Sequence, residues 1–376
     1  MRPQTGPQNE GKADVRRKQL NQILLLETGS LSYQSGAFLA HFSHSTELCS
    51  EPPRPASNPG PVPIATVANA VLPSIRVTKR RMKQVKSILL IREQRDNGTQ
   101  ELAFQARPFV LCGLPLRRPS PTQLSYMRRN GRFFLQIVAH PQYGLPFGQD
   151  RLLPIWLATL ALWQKSREVH FHSAAQMLDF FHLPKDGYHY RRLVEAFQRV
   201  FGATIFFGTE EHSAANKLLD WTRFHFLDRM KLWCGTGVRS SGAEAKSHDN
   251  VITLSELFYN EIDRHRIPVE REVVASLAHA PGILDFYLWL AWKSWTLRSA
   301  PGRIPIVGPG GLCDQLGAVP YSSPRRFRHL IVEWLAKVKA YWPECRAFVT
   351  SDRCFLVVHS SRKSPAVRVI DVPLVL

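Results

Sequence analysis

Acid is what this sequence is short of. Asp and Glu number 30 against 49 Lys and Arg, which leaves a net charge of +19 on 376 residues. The shortage is spread evenly: 8 acids face 14 bases in residues 1–105, 8 face 15 in 106–225, and 14 face 20 in 226–376. A basic excess of that distribution predicts a chain that meets a polyanion along an extended surface, and nucleic acid is the first such partner. Long hydrophobic runs are missing too. "LLPIWLATLALW" (152–163) is too short to span a bilayer, and "ILDFYLWLAWKSWTL" (283–297) is short and carries Lys293. Both predict buried helices, and no membrane partner is expected. Met1 is followed by polar residues without the apolar stretch of a secretory signal, so the expected location is cytoplasmic.

Paired cysteines are absent as well. Cys49, Cys112, Cys234, Cys313, Cys345 and Cys354 lie far apart, with no C-x-x-C and no Cys/His spacing of a zinc site, so they are expected to be reduced thiols. No Ser-His-Asp arrangement is found, and "VGPGGL" (307–312) lacks the lysine of a phosphate-binding loop. The expectation is therefore no cofactor, no metal, no catalytic residue and no enzyme. One motif argues otherwise. In "VHFH", His170 and His172 flank an apolar residue as in rolling-circle nickases, where two histidines on a strand bind a divalent metal and a tyrosine, here Tyr188 or Tyr190, attacks DNA. A short strand of period two explains the same spacing, which leaves nicking as the lesser alternative.

What is present divides at about residue 106. The Pro-rich "EPPRPASNPGPVP" (51–63) and the charge run "TKRRMKQVKS" (78–87) predict that residues 1–106 are a largely disordered basic arm. From 107 the punctuation becomes that of a folded chain. "GRFFLQIVAH" (131–140) predicts a strand, 149–165 a buried helix, and "REVHFHS" a short strand. Ser173 with Gln176 then forms a capping box for "AAQMLDFFHL". After the turn "PKDG" (184–187), a helix places Tyr190, Leu193, Val194, Phe197, Val200 and Phe201 inward and stops at Gly202, and "ATIFFGT" opens a hairpin. Helix, strand, helix, helix and hairpin is the order of a winged helix.

The order recurs in 283–297, 303–307, 310–318, 323–343 and the hairpin 345–360, with its turn near Ser351 and Asp352. Even the wording echoes, "YRRLVEAFQRV" at 190 against "FRHLIVEWLAKV" at 327. The expected class is α+β: two tandem winged helices, 107–225 and 226–376, after the arm.

With both halves in view, the chain resembles the plasmid-encoded RepA-type replication initiators. The resemblance is carried by 128–161, with Pro141, Gly144, Leu145, Pro146, Gly148 and Arg151, by "SELFYNEIDRHRIPVE" to "LDFYLWLAWKSW" (255–295), and by 322–343. It implies a bacterial, DNA-associated protein that binds iterons in its origin and promotes melting. It also implies recruitment of host replication proteins such as the replicative helicase or host initiator, and in some cases repression of the protein's own promoter. It implies a homodimer as well, with the first winged helix for dimerisation and phosphate contact and the second for sequence.

The residues of 323–343 support a DNA contact on their own. Phe327, Leu330, Ile331, Trp334, Leu335 and Val338 form one helical stripe, Ser323 suits the N-cap and Pro324 the first turn. Arg325, Arg326, Arg328 and His329 then crowd the positive end of the helix dipole, at a cost of ~0.3–1 kcal/mol each unless an anion is near. Arg326, His329 and Glu333 share the face opposite the stripe, where base edges would lie, while Arg325 and Arg328 flank it toward phosphates. Glu333 either accepts from cytosine or pairs with Lys337. Arg353, beside the wing turn, would reach a phosphate. In the first half Arg191, Arg192 and Arg199 are candidates for phosphate contact, Glu195 is placed to pair with either Arg191 or Arg199, and Glu210 and Glu211 would repel DNA from the hairpin. A transcription repressor without initiator activity fits the same features, although one such domain would suffice for it.

Overall fold

The computed structural model of the chain describes residues 78–212, 217–232, 250–297, 300–316 and 323–361. Ser87–Leu376 forms one compact unit, and of the other, Met1–Lys86, only 78–86 are described. Order begins well before residue 107. Helix α1 (Lys79–Asn97) buries Ile88 and Ile91, and β1 (Leu102–Ala106) buries Ala103 and Ala106. The expected arm is therefore corrected over 87–106, and residues 1–77 lie outside the described residues. The short helix α2 (Arg107–Leu111), β2 (Ser125–Asn130) and β3 (Phe133–Val138) follow.

After a tight turn at Gly148–Arg151 comes α3 (Leu152–Gln164). It is buried from Leu152 to Thr159, as a helix without a polar face must be, and Pro154 sits in the first turn where no N–H bond is lost. Strand β4 (Glu168–Phe171) and α4 (Ala175–Phe180) differ from expectation at their junction. No side chain caps α4, and Gln176 Oε1 instead accepts from the His172 N–H at 3.2 Å. Helix α5 (Gly187–Phe201) is capped by Asp186, whose Oδ1 accepts from His189 N at 2.8 Å. Leu193, Phe197 and Val200 face inward, whereas Phe201 is exposed.

The hairpin β5 (Thr204–His212) and β6 (Lys217–His225) leads to β7 (Leu227–Lys231) and β8 (Asn250–Leu254). Helix α6 (Glu256–His265), capped by Ser255 Oγ on Phe258 N at 3.2 Å, β9 (Arg266–Glu270) and α7 (Arg271–Leu277) join the two halves. The remainder is α8 (Pro281–Thr296), β10 (Gly302–Pro305), the one-turn α9 (Leu312–Gln315), α10 (Pro324–Tyr341), β11 (Ala347–Val349) and β12 (Phe355–Val358). Gly282 brings α8 close to α10: a Cβ there would come within 2.6 Å of the Trp334 ring.

Strand pairing decides how the halves correspond. All pairs are antiparallel, in sheets ordered β1-β9, β2-β3-β5-β6, β4-β8-β7 and β10-β12-β11. In the second half the first short strand, β10, lies against the last strand, β12, with β11 outside. In the first half β4 lies against β8, with β7 outside. The hairpin that adjoins β4 is thus β7–β8, not the expected β5–β6, which extends β2–β3 because Ile205 and Phe207 complete the buried face begun by Ile137 and Leu135. The expected boundary at 225/226 consequently falls inside a run of strands, and β4 and β8, on either side of it, are hydrogen-bonded from Glu168↔Thr253 to Phe171↔Asn250.

One hydrophobic core runs from Ile88 to Val358, with Trp156, Tyr287, Trp289 and Trp342 fully covered. Three arginines hold buried carboxylates around it. Arg151 pairs with Asp285, Arg199 donates to Asp150 at 2.6 and 3.0 Å, and Arg95 donates to Glu270 at 3.0 and 3.1 Å. Burial pushes the Asp285 carboxyl up and Arg151 pulls it down.

Candidate nucleic-acid interface

Ser323 occupies the N-cap of α10 but does not cap with its side chain. Its carbonyl accepts from Arg326 N at 3.1 Å and Phe327 N at 3.3 Å. Pro324 is the first helical residue and no acid stands in the first turn. The stripe is buried as expected at Phe327, Ile331, Trp334, Leu335 and Val338, while Leu330 is half-buried. This leaves Arg325, Arg326, His329, Glu333 and Lys337 exposed on the outer side. Arg328 is half-buried, and its Nε is covered without a hydrogen-bond partner among the described residues. The expected Glu333–Lys337 pair is not among the ion pairs of the described residues.

The turn between β11 and β12 is a built structure. Arg353 N donates to Thr350 O at 2.9 Å, and Asp352 Oδ1 accepts from Thr350 Oγ1 at 2.5 Å and from Cys354 N at 2.9 Å. Those bonds, the Thr350 hydroxyl first, hold the Asp352 carboxyl below its usual range. Arg353 takes a left-handed φ of 55° and directs Nη1 to the His329 ring, 3.3 Å from its nitrogens. The turn and the outer side of α10 therefore make one basic surface, a contact between residues 24 apart that no local pattern announces. Arg303 was missed by sequence reasoning. It lies exposed on β10 with its guanidinium 3.9 Å from the Phe355 ring centroid, and its alternation with buried Ile304 was the available signal.

In the first half, Arg191 is exposed and Arg192 half-buried, its guanidinium 5.6 Å from the ring centroid of exposed Tyr188. Arg199 is removed from the candidates: it is 8% exposed and is taken up by Asp150 and, at 3.3 Å, by Glu195. Glu210 pairs with Arg129 of β2 at 2.5 Å, in a sheet separate from β4, so its charge does not stand on the hairpin that adjoins β4. The Glu211 side chain lies outside the description. His170 and His172 are exposed, Tyr190 is packed against the core, and among the described residues no three His, Cys, Asp or Glu are grouped to hold an ion. The described cysteines are free thiols; burial pushes those of Cys112 and Cys345 up to about 12. No described helix is long and apolar enough to cross a membrane.

Residues 190–306, from α5 through β10, match the family model described as plasmid encoded RepA protein. Over this stretch, less than a third of its length, the chain is similar to that family. The stretch contains the segment 255–295 on which the resemblance in sequence rested in part, and it ends before α10. No curated protein matches the chain. Among solved structures, the chain is similar to a crystal structure of RctB domains 2 and 3, at 11% identity over 68% of this chain and 98% of that one with a TM-score of 0.44. It is similar also to the selenomethionine derivative of the same domains, at 11% identity over 65% and 94% with a TM-score of 0.43. The matched segment thus spans the joint between the halves and leaves the basic surface of α10 outside it.

Proposed function

We propose that the chain is a plasmid replication initiator, without a catalytic step of its own, whose two winged helices act on duplex DNA. The RepA match supports the class, and the like strand order of β4-β8-β7 and β10-β12-β11 supports the tandem arrangement. The single observation that carries DNA reading is the meeting of Arg353 with His329, which joins wing turn and outer helix face into one surface. In helix-turn-helix docking the recognition helix lies in a major groove with its N-terminal part at base edges, and here the turn beside it would reach the flanking phosphates.

In this reading Arg326 and His329 meet bases, Arg325, Arg328 and Arg353 meet phosphates, and Arg191 and Arg192 add contacts from the first half, which also carries self-association. The sites are direct repeats at the plasmid origin. Binding there promotes melting and brings host replication proteins such as the helicase, and binding at the promoter would repress the gene. The test is nuclease protection of DNA beside the gene by the purified chain. Protection of direct repeats about two helical turns long, over scrambled duplex in a salt series, is the expected result. Equal protection of scrambled duplex overturns it.

A further inference from the structure

The sheet β2-β3-β5-β6 turns one face to the core and the other to solvent. Tyr126, Leu135, Ile137, Ile205, Phe207 and Phe224 are buried on the first. On the second, the register sets Met127, Gln136, Phe206 and Arg223 in one row and Arg129, Phe134, Gly208 and Trp221 in the next. Gly208 shapes this face. Without a side chain there, the Trp221 ring meets Phe134 across β5, with centroids 4.8 Å apart and planes at 55°. Phe134 is buried to 1% beneath it, while Trp221 stays 49% exposed. The indole is held on one side and open on the other. Phe206, its half-buried diagonal neighbour, and Met127, 47% exposed, continue the apolar strip.

The charge around the strip is positive. Arg223 and His225 are exposed on β6, and Arg132 is exposed at the β2–β3 turn. The Arg129 side chain is 49% exposed, and the Glu210 carboxylate it pairs with is only 8% exposed. Asp220 alternates to the opposite face in the register. An open aromatic ring between cations on an antiparallel sheet fits an unstacked base with phosphates on either side, since every base has a π face. Duplex DNA keeps its bases stacked and has none to offer.

We infer that this face binds single-stranded nucleic acid, with Trp221 stacking on a base and Arg223 and Arg129 holding neighbouring phosphates. It would give a protein that opens an origin a hold on the separated strand. The inference uses no residue of α10 or the wing turn, so its failure and that of the duplex reading are separate.

The test is fluorescence anisotropy of labelled oligothymidylate about 20 nucleotides long with the full chain, alongside repeat duplex. Wild type is expected to bind with quenching of tryptophan fluorescence. Trp221→Ala should weaken single-strand binding about tenfold and Trp221→Phe much less. Arg223→Glu should weaken it about tenfold and flatten its salt dependence. Duplex affinity should stay within about twofold for all three. Arg223→Glu leaves Phe134 covered, so it decides the matter even where Trp221→Ala disturbs folding. Absence of wild-type binding, or wild-type affinity in Arg223→Glu, overturns the inference. If the variants sediment as monomers where wild type dimerises and single-strand binding is unchanged, the face belongs to a second copy and the inference falls.

Discussion

Helices α5 and α10 hold the same place in their halves, yet they treat their cations in opposite ways. The last-turn arginine of α5, Arg199, is favoured there by the helix dipole and is drawn inside by Asp150 and Glu195. The first-turn arginines of α10, Arg325 and Arg326, are disfavoured by the dipole and lie exposed. An arginine that works for the fold finds carboxylates from its own chain. One that waits for an external anion is left against the dipole. Sequence correspondence between "YRRLVEAFQRV" and "FRHLIVEWLAKV" shows neither outcome, because the partner decides it.

The largest expected effect tests whether the halves can be separated at all. A fragment of 226–376 takes β8 from β4 and leaves Asp285 without Arg151. Loss of a partner from a buried ion pair alone costs ~3–5 kcal/mol, a large part of the stability of an ordinary domain. The fragment is expected to lack a cooperative thermal transition and near-ultraviolet dichroism. A fragment that melts cooperatively would restore the boundary at 225/226.

Arg199→Ala comes next. It strands the Asp150 carboxylate, 3% exposed, and should lower stability by ~3–5 kcal/mol, read as a shift of the urea midpoint. Arg326→Ala, on an exposed face, should move that midpoint by no more than ~0.5 kcal/mol. Equal shifts would erase the contrast between the two helices.

These contrasts also mark how far the chain could be read by eye. The α10 stripe, the hairpin turn at 350–353 and the unbroken apolar stretches of α3 and α8 depend on neighbours within a few residues, and all were legible. The role of β7–β8 was not, because its first-half partner Glu168 lies far from Thr253 in the chain, while "ATIFFGT" alternates as strongly as any wing. Ile88 and Ile91 follow directly on a run, 78–87, whose cations dominate the composition. Of the site, the exposed positions of α10 followed from its period. The contact of Arg353 with His329 and the burial of Arg199 required the fold.

On DNA the order reverses. Arg326→Ala should cost ~1–3 kcal/mol on repeat duplex and much less on scrambled duplex. Arg325→Ala should weaken both alike and lower the salt slope by about one, and Arg199→Ala, once folded, should change neither. Binding isotherms across a salt series separate the three. Equal loss on both duplexes for Arg326→Ala would reduce α10 to a phosphate clamp.

The smallest effect lies at Asp352, where two influences oppose. Its carboxylate fixes the turn that carries Arg353, through Thr350 and Cys354, yet it is also a negative charge near the phosphates proposed to lie there. Asp352→Asn removes the charge and keeps an acceptor; Asp352→Ala removes both. The charge effect is common to the two and fades with salt. The remaining difference is the turn, and at high salt Asp352→Ala should bind either duplex about threefold more weakly than Asp352→Asn. The same bonds set the pH sign. The folded-state carboxyl titrates below its ordinary 3.8, so its support for the turn is complete above that value and is lost as pH falls through the folded one. The Cys354 amide resonance should follow that titration in wild type and not in Asp352→Asn. If Asp352→Ala instead weakens repeat duplex alone, the β11–β12 turn reads bases, and the proposed division between a helix that reads and a turn that holds gives way.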